Sequence, residues 1–388
     1  MINVLYLGAF PPEFLIKRSK GEIDSLYRDS QTIIKGLRLN SDVKLKVITS
    51  PDLLSWPHGP LYINREVNEN EHLTLVSSLN VRIIKQVWTI ISLIRESRPF
   101  IKQSESQVVV LIPYMVFRHV FTLRILKLLY PKKVIQACVV PDIFFPHNRV
   151  KRLVNKMTER MASHFDAFVF YTRKMADHLK VSEGRYEVIE GFREVPERSP
   201  LTGEIFKVVY AGSLNINYGI VRLIDAFSLI KDNEIELHLY GEGSAVSIIR
   251  DVANHDKRII YHGKVSNAEA TNAIYSASVL INPRNSSDGA YTEYSFPSKD
   301  IEYMATGIPT LLCKLPGMPN EYYGKFIDLE DGSPEHIANS IEGVKNMSLD
   351  ERTAFGDKAR SFIKERMDSS LQTARIVALF NRIIILNQ

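Results

Sequence analysis

Two consecutive doubly wound α/β domains are the fold this 388-residue sequence predicts. Short β-branched runs alternate with helix-period stretches along nearly the whole chain, the pattern of a parallel sheet with helical crossovers. A stretch rich in Pro, Gly and charge, GFREVPERSPLTGE at 191–204, interrupts that alternation near the middle and reads as a linker. The length also exceeds what one hydrophobic core usually supports.

In the first half, strands are expected near 2–7, 43–48, 107–112, 133–139, 167–170 and 186–189, with helices near 25–39, 82–97, 117–130, 148–164 and 172–180. The second half repeats the scheme. FKVVYAG (206–212), IELHLYG (235–241), RIIYHG (258–263), SVLINP (278–283) and IPTLLC (308–313) read as strands. Helices are expected at about 219–231, 244–254, 266–276, 298–306 and 334–346, and a polar, periodic tail from Leu349 to Asn387 reads as two more. The expected domains are 1–200 and 201–365, with 366–388 a terminal helix packing back on the first.

An apolar fraction of 45% with 24% charged residues is ordinary for soluble globular protein. Two cysteines, Cys138 and Cys313, exclude a disulfide scaffold and a cysteine-rich zinc site, and fit a reducing cytoplasm. The N-terminus lacks a basic region followed by a cleavable apolar core, and Val108–Phe117 is too short to cross a bilayer, so neither export nor a membrane span is expected. Charge is uneven. Residues 1–200 hold 30 Lys and Arg against 20 Asp and Glu, whereas 201–388 hold 19 against 24. Within 82–160 the balance is 15 basic to 4 acidic, interleaved with Ile, Leu, Val, Phe and Trp88. Such a surface suits anionic lipid headgroups; basic helices laying an apolar face on a sheet read equally well. No nucleic-acid motif accompanies the charge.

The stretch EYSFPSKDIEYMATGIPT (293–310) carries the most chemistry. If a helix starts near Ser298, Lys299 and Glu302 share a face one turn apart, beside first-turn amides that carry the positive end of the helix dipole. Amides and Lys299 suit the phosphates of a nucleotide diphosphate, and the Glu302 carboxylate suits neighbouring ribose hydroxyls. The other strand ends offer weaker signals. Gly212 with Ser213, and Gly241 with Gly243, let backbone approach a ligand or simply turn. Lys264 and Val265 offer main-chain groups to a base or a plain turn. Asp142 leaves a first-half strand in a Pro-Asp pair, suited to catalysis or to orienting an acceptor, though common in turns. Gly8 opens a loop whose Lys17 and Arg18 suit phosphate or a mobile surface. His119, in a basic amphipathic run, reads as a surface side chain.

The order of these pieces, ending in FPSKDIEYMATGIPT, resembles the carboxyl-terminal domain of GT-B glycosyltransferases of retaining family 4, glycosyl transferases group 1, especially the bacterial surface-polysaccharide type. The likeness covers about 205–365, and more loosely the first half through FVFYTRKMADHL and YEVIEGF. It implies a GT-B fold with a nucleotide sugar held between two Rossmann-like domains facing a cleft, mainly by the second. It implies a donor-binding set of Gly212, Ser213, Gly241, Gly243, Lys264, Val265, Tyr294, Ser295, Phe296, Pro297, Ser298, Lys299 and Glu302. Lys299, Glu302 and Asp142 take the catalytic positions. The implied substrate is a nucleotide sugar, UDP-linked by expectation, and the acceptor a glycan or polyprenyl-diphosphate-linked sugar at the cytoplasmic membrane face. No Asp-x-Asp pair is present, so no metal is expected. The sequence departs from the family pattern where Tyr294 stands at the first glutamate position, and where Ser213 and Tyr218 stand for an Arg and a Lys. A non-hydrolysing nucleotide-sugar epimerase and a non-catalytic glycan- or partner-binding relative stay open as alternatives.

Overall fold

Apolar runs without polar alternation mark strands covered on both faces, and the computed structural model arranges them in two parallel sheets. It describes residues 1–8, 25–50, 53–70, 72–82, 84–146, 148–192, 195, 205–294 and 296–387. The chain divides into one unit of Met1–Phe192 with Ser369–Gln388 and a second of Arg193–Asp368.

In the first unit β1 (Ile2–Gly8), β2 (Val43–Thr49), β3 (Tyr62–Ile63), β4 (Glu66–Asn68), β5 (Leu73–Leu75), β6 (Ser78–Leu79), β7 (Val108–Ile112), β8 (Val134–Val140), β9 (Ala167–Phe170) and β10 (Tyr186–Val188) follow in order. The main sheet runs β10-β9-β8-β7-β1-β2-β5-β4 and is parallel except for β4, which closes one edge antiparallel to β5. The sequence reading missed β3 to β6. Each is two or three residues long, too short for periodicity to register. Helix Ile84–Gln103 also runs past its expected end and through Pro99.

Two helices of this unit are polar inward and apolar outward. Helix Ile84–Gln103 buries Lys85, Thr89, Leu93, Ser97 and Ile101 while Ile84, Val87, Trp88 and Ile91 face solvent. Arg149–Ala162 buries only Thr158 and Ala162, and Val150 and Leu153 are 70% and 69% exposed. Their apolar faces therefore do not lie on the sheet. His119 departs from its expected place too. It is buried, its Nε2 lies 3.4 Å from Ser50 Oγ, and burial, with Arg118 beside it, pushes its pKa down to about 3, so the ring is neutral. The last helix, Ser369–Leu386, buries Ile376, Val377, Leu379, Phe380 and Ile383. Its Arg375 donates to Glu187 (2.6 Å) and to the Val188 carbonyl on β10 (3.0 Å).

The second unit holds β11 (Phe206–Ala211), β12 (Ile235–Tyr240), β13 (Ile259–Gly263), β14 (Val279–Asn282), β15 (Thr310–Leu312) and β16 (Ile327–Asp328) in the order β13-β12-β11-β14-β15-β16, parallel throughout. Counted within the unit, that is the 3-2-1-4-5-6 order of a dinucleotide-binding fold, whose ligands settle where the order reverses, beyond the carboxyl ends of the two central strands. Here those strands are β11 and β14. Strand pleating splits β11 between two cores: Val208 and Tyr210 pack with Leu237, Leu239 and Ile281, whereas Val209 and Ala211 pack with Leu280, Tyr303 and Ile308.

Helix Ser298–Thr306 follows β14 and stops at Gly307, whose φ of +78° makes the left-handed cap that glycine accepts without strain. Helix Leu349–Met367 crosses it there. Ala359, Ile363 and Met367 join Ile301 and Met304 in one core, and a Cβ at Gly356 would collide with the Gly307 carbonyl. The close approach of these helices fixes where Lys299 and Glu302 stand. Gly356→Val should therefore overpack the crossing and cost about 1–3 kcal/mol, measured by urea denaturation; unchanged stability would show that the crossing is loose.

Candidate functional site

Beyond the carboxyl ends of β11 and β14 two loops meet, and their residues tie them together. Arg222, on helix Ile220–Leu229 after the first loop, grips the loop that follows β14 with a two-pronged ion pair to Asp288 (2.8 and 3.0 Å) and donates to the Pro283 carbonyl (3.0 Å). Tyr291 Oη donates to the Asn217 carbonyl of the first loop (3.1 Å). Arg284 stacks its guanidinium 4.0 Å above the Tyr218 ring, with Tyr291 5.4 Å away. Gly219 sits so close to the Pro283 carbonyl that a Cβ would not fit.

Lys299 enters the same place from the helix. Its Nζ lies 3.6 Å from the centre of the Tyr210 ring, and a Cβ on Gly212 would strike that ammonium. Gly212 (φ +147°) thus gives the ammonium its room. Among the described residues Lys299 makes no hydrogen bond and no ion pair; an aromatic face is its only close partner. Burial foremost, and then the Arg284 charge, push its pKa down to about 7. Asp300, next along the helix, points elsewhere: it is buried and accepts from Asn282 Nδ2 at 2.6 Å, and burial raises its pKa to about 6 against the pull of Asn282, Arg284 and Lys299.

Glu302 and Lys299 do share the helix end, without an ion pair between them. The half-buried Glu302 carboxylate lies near enough to Tyr275 to help raise that phenol, after burial. Ser298 is the exposed first residue of the helix, after a buried Pro297. Phe296 belongs to the core, its ring 4.7 Å from Tyr322, so its side chain is engaged in packing. Tyr294 is half-buried at the end of the turn Ala290–Glu293. Ser213 is exposed, accepting at its hydroxyl from Asn215 (2.8 Å).

Gly241 and Gly243 serve packing. A Cβ on Gly241 would collide with the Gly212 carbonyl, and one on Gly243 with the Leu214 backbone, so the β12 loop nests against the β11 loop. Lys264 is exposed and Val265 half-buried in the turn after β13, where Tyr240 and His262 stack nearly parallel at 4.1 Å. The candidates Gly8 and Asp142 belong to the first unit. Gly8 ends β1 with its Cα against the Pro113 ring, and Asp142 follows β8, its Oδ1 accepting from the Ile143 amide at 2.8 Å. Lys17, Arg18 and Ser295 lie outside the described residues. Sequence reasoning missed Arg284, Asn282 and Asp300. Asp300 lies inside the motif it singled out, and Arg284 directly follows the Pro of SVLINP.

Residues 205–345, within the second unit, match the family model described as Glycosyl transferases group 1. No curated protein matches the chain. Among solved structures it is similar to Anabaena Alr3699/HepE in complex with UDP (TM-score 0.66, 12% identity, covering 97% of this chain and 100% of that one). Sucrose-phosphate synthase (tll1590) from Thermosynechococcus elongatus gives a TM-score of 0.68 at 12% identity, with both chains fully covered. The OtsA apo structure gives 0.65 at 12%, covering 97% and 98%. At such identity these likenesses establish the fold, which is the GT-B fold the sequence predicted.

The buried carboxylate makes stability depend on pH. Asp300 has a folded pKa of about 6 against an ordinary 3.8, so the folded state holds the extra proton between those values and stability falls as pH rises through that window. The span is on the order of 3 kcal/mol. Asp300→Asn should flatten this part of the curve, measured by urea denaturation from pH 4 to 7. A variant that keeps the wild-type slope would assign it to another group.

Proposed function

We propose that this chain is a retaining glycosyltransferase that moves a sugar from a nucleotide diphosphate, UDP by preference, to a glycan or lipid-linked acceptor in bacterial polysaccharide synthesis. The observation that carries the reading is Lys299: an amine that makes no ion pair among the described residues, set over Tyr210 at the strand-order reversal of a dinucleotide-type sheet, in the room that Gly212 leaves. The match of this unit to the glycosyltransferase family supports the reaction class, and the UDP and UDP-glucose complexes of HepE support the donor base.

In this reading Lys299 and the free amides of the helix start meet the charge that develops on the leaving diphosphate. Glu302 accepts from the ribose hydroxyls. Departure and attack occur on one face of the sugar, with the leaving phosphate oxygen taking the acceptor proton, so no protein nucleophile is required. We assign Asp142 to orienting the acceptor. No metal is part of the proposal, because side-chain cations stand where one would neutralise phosphate.

The acceptor side is assigned to the cytoplasmic face of a membrane. Support comes from helix Arg149–Ala162, where exposed Val150, Leu153, Val154 and Met157 stand among Lys151, Arg152, Lys156 and Arg160, next to exposed Phe144 and Phe145. Apolar wedges within a basic face suit anionic headgroups. Sedimentation with vesicles containing anionic lipid should carry the protein down at low salt and release it at high salt; a protein left in the supernatant at low salt would remove this part.

For the donor site, Lys299→Ala should weaken UDP binding about 10- to 100-fold, the loss of one charge-assisted contact. Turnover should fall with it, and the circular dichroism spectrum should stay unchanged. In the same titrations Glu302→Ala should erase any preference for UDP over its 2′-deoxy analogue. Wild-type affinity in Lys299→Ala would sink the assignment.

A further inference from the structure

The loop after β11, Gly212–Gly219, carries no charged residue. A ligand with two phosphates at this reversal point must find its counter-charge elsewhere, and two cations stand there without an ion pair among the described residues. Arg284 makes no ion pair and no hydrogen bond among the described residues; its Nε is buried and unpartnered, and its guanidinium lies on Tyr218 with Tyr291 beside it. Lys299 is likewise unpaired, over Tyr210. Of the nearby carboxylates, Asp288 is held by Arg222 and Asp300 by Asn282, and Glu302 acts on Lys299 without an ion pair. Two like charges acting on each other in a partly dry site raise the energy of the empty protein, and only an anion relieves it.

We propose that Arg284 is a phosphate-binding residue which, stacked on Tyr218 and paired in action with Lys299, receives the diphosphate of the donor. The inference rests on the nucleotide-sugar reading above. The planar fork of an arginine suits two phosphate oxygens at once, and the ring below holds it flat and pre-oriented, so little side-chain freedom is lost on binding. The ion pair of Arg222 with Asp288 and the hydrogen bond of Tyr291 to Asn217 fix the two loops that carry Arg284 and Tyr218. The ligand class is a diphosphate ester, since a single neutral or singly charged group would leave one cation unmatched.

The test is calorimetry of the full chain with UDP and with uridine, for wild type and Arg284→Gln. UDP affinity should fall about 10- to 100-fold in the variant, and any affinity for uridine should be unchanged. Arg284→Lys, which keeps the charge without the fork, should fall between the two. Because Arg284→Gln removes a stacked side chain and its fold is at risk, a second measurement uses wild type alone. The Arg284 Nε–Hε NMR signal, assigned by its absence from Arg284→Lys, should shift with UDP and with inorganic pyrophosphate and stay in place with uridine. A folded Arg284→Gln binding UDP as wild type does, or an unmoved signal at saturating UDP, overturns the role of Arg284 and leaves the nucleotide-sugar reading standing. If wild type binds none of UDP, GDP and dTDP, that reading falls and this inference with it.

Discussion

Two basic side chains share one end of a parallel sheet, and among the described residues neither makes an ion pair with a carboxylate. The loops after β11 and β14 are arranged around this pair. Lys299 and Arg284 each rest on an aromatic ring instead of an acid. A cation over a ring face gains roughly 0.5–2 kcal/mol without an acid cancelling its charge. An ion pair would hold the side chain more firmly, but it would also cancel the field that an incoming anion is drawn by. Tyrosine faces fix the position and leave the charge available.

The backbone supplies the room. At the strand-order reversal the chain leaves β11 through Gly212, and side chains are missing at Gly212, Gly241 and Gly243 for different reasons. Gly212 clears space for an ammonium, whereas Gly241 and Gly243 let one loop nest on another. These two kinds of glycine are identical in sequence. What distinguishes them is the atom each would have struck, the Lys299 Nζ in one case and main-chain carbonyls in the other. The crossing of Gly307 and Gly356 does a third job, fixing the helix that delivers Lys299.

Much of this was legible in the sequence because its signals are local. Alternating buried strands and periodic helices announced both sheets, and Lys299 stood out with Glu302 because a helix start and a three-residue spacing are visible in one short segment. Arg284 was not legible. Its meaning lies in Tyr218, distant in the chain and brought near only by the pairing of β11 with β14. Phe296 entered the donor set through the family resemblance, and its packing on Tyr322 was not visible in the sequence. His119 and the helix Ile84–Gln103 misled for a common reason: amphipathicity gives two faces without saying which one meets the sheet, and here polar side chains are the buried ones.

Asp300 shows why neighbours in sequence need not neutralise one another. Successive helical residues point about 100° apart, so a side chain cannot easily meet its immediate neighbour. Lys299 is therefore free to face the sheet end over Tyr210 while Asp300 turns inward to Asn282. Burial raises the carboxylate and lowers the ammonium, so each group is held in an environment that disfavours its own charge. A pairing of the two would have relieved both. That the fold keeps them apart, with Asn282 closing off the acid and Gly212 opening space for the amine, places the strain where a ligand can remove it, which is where proteins most often depart from their most stable arrangement.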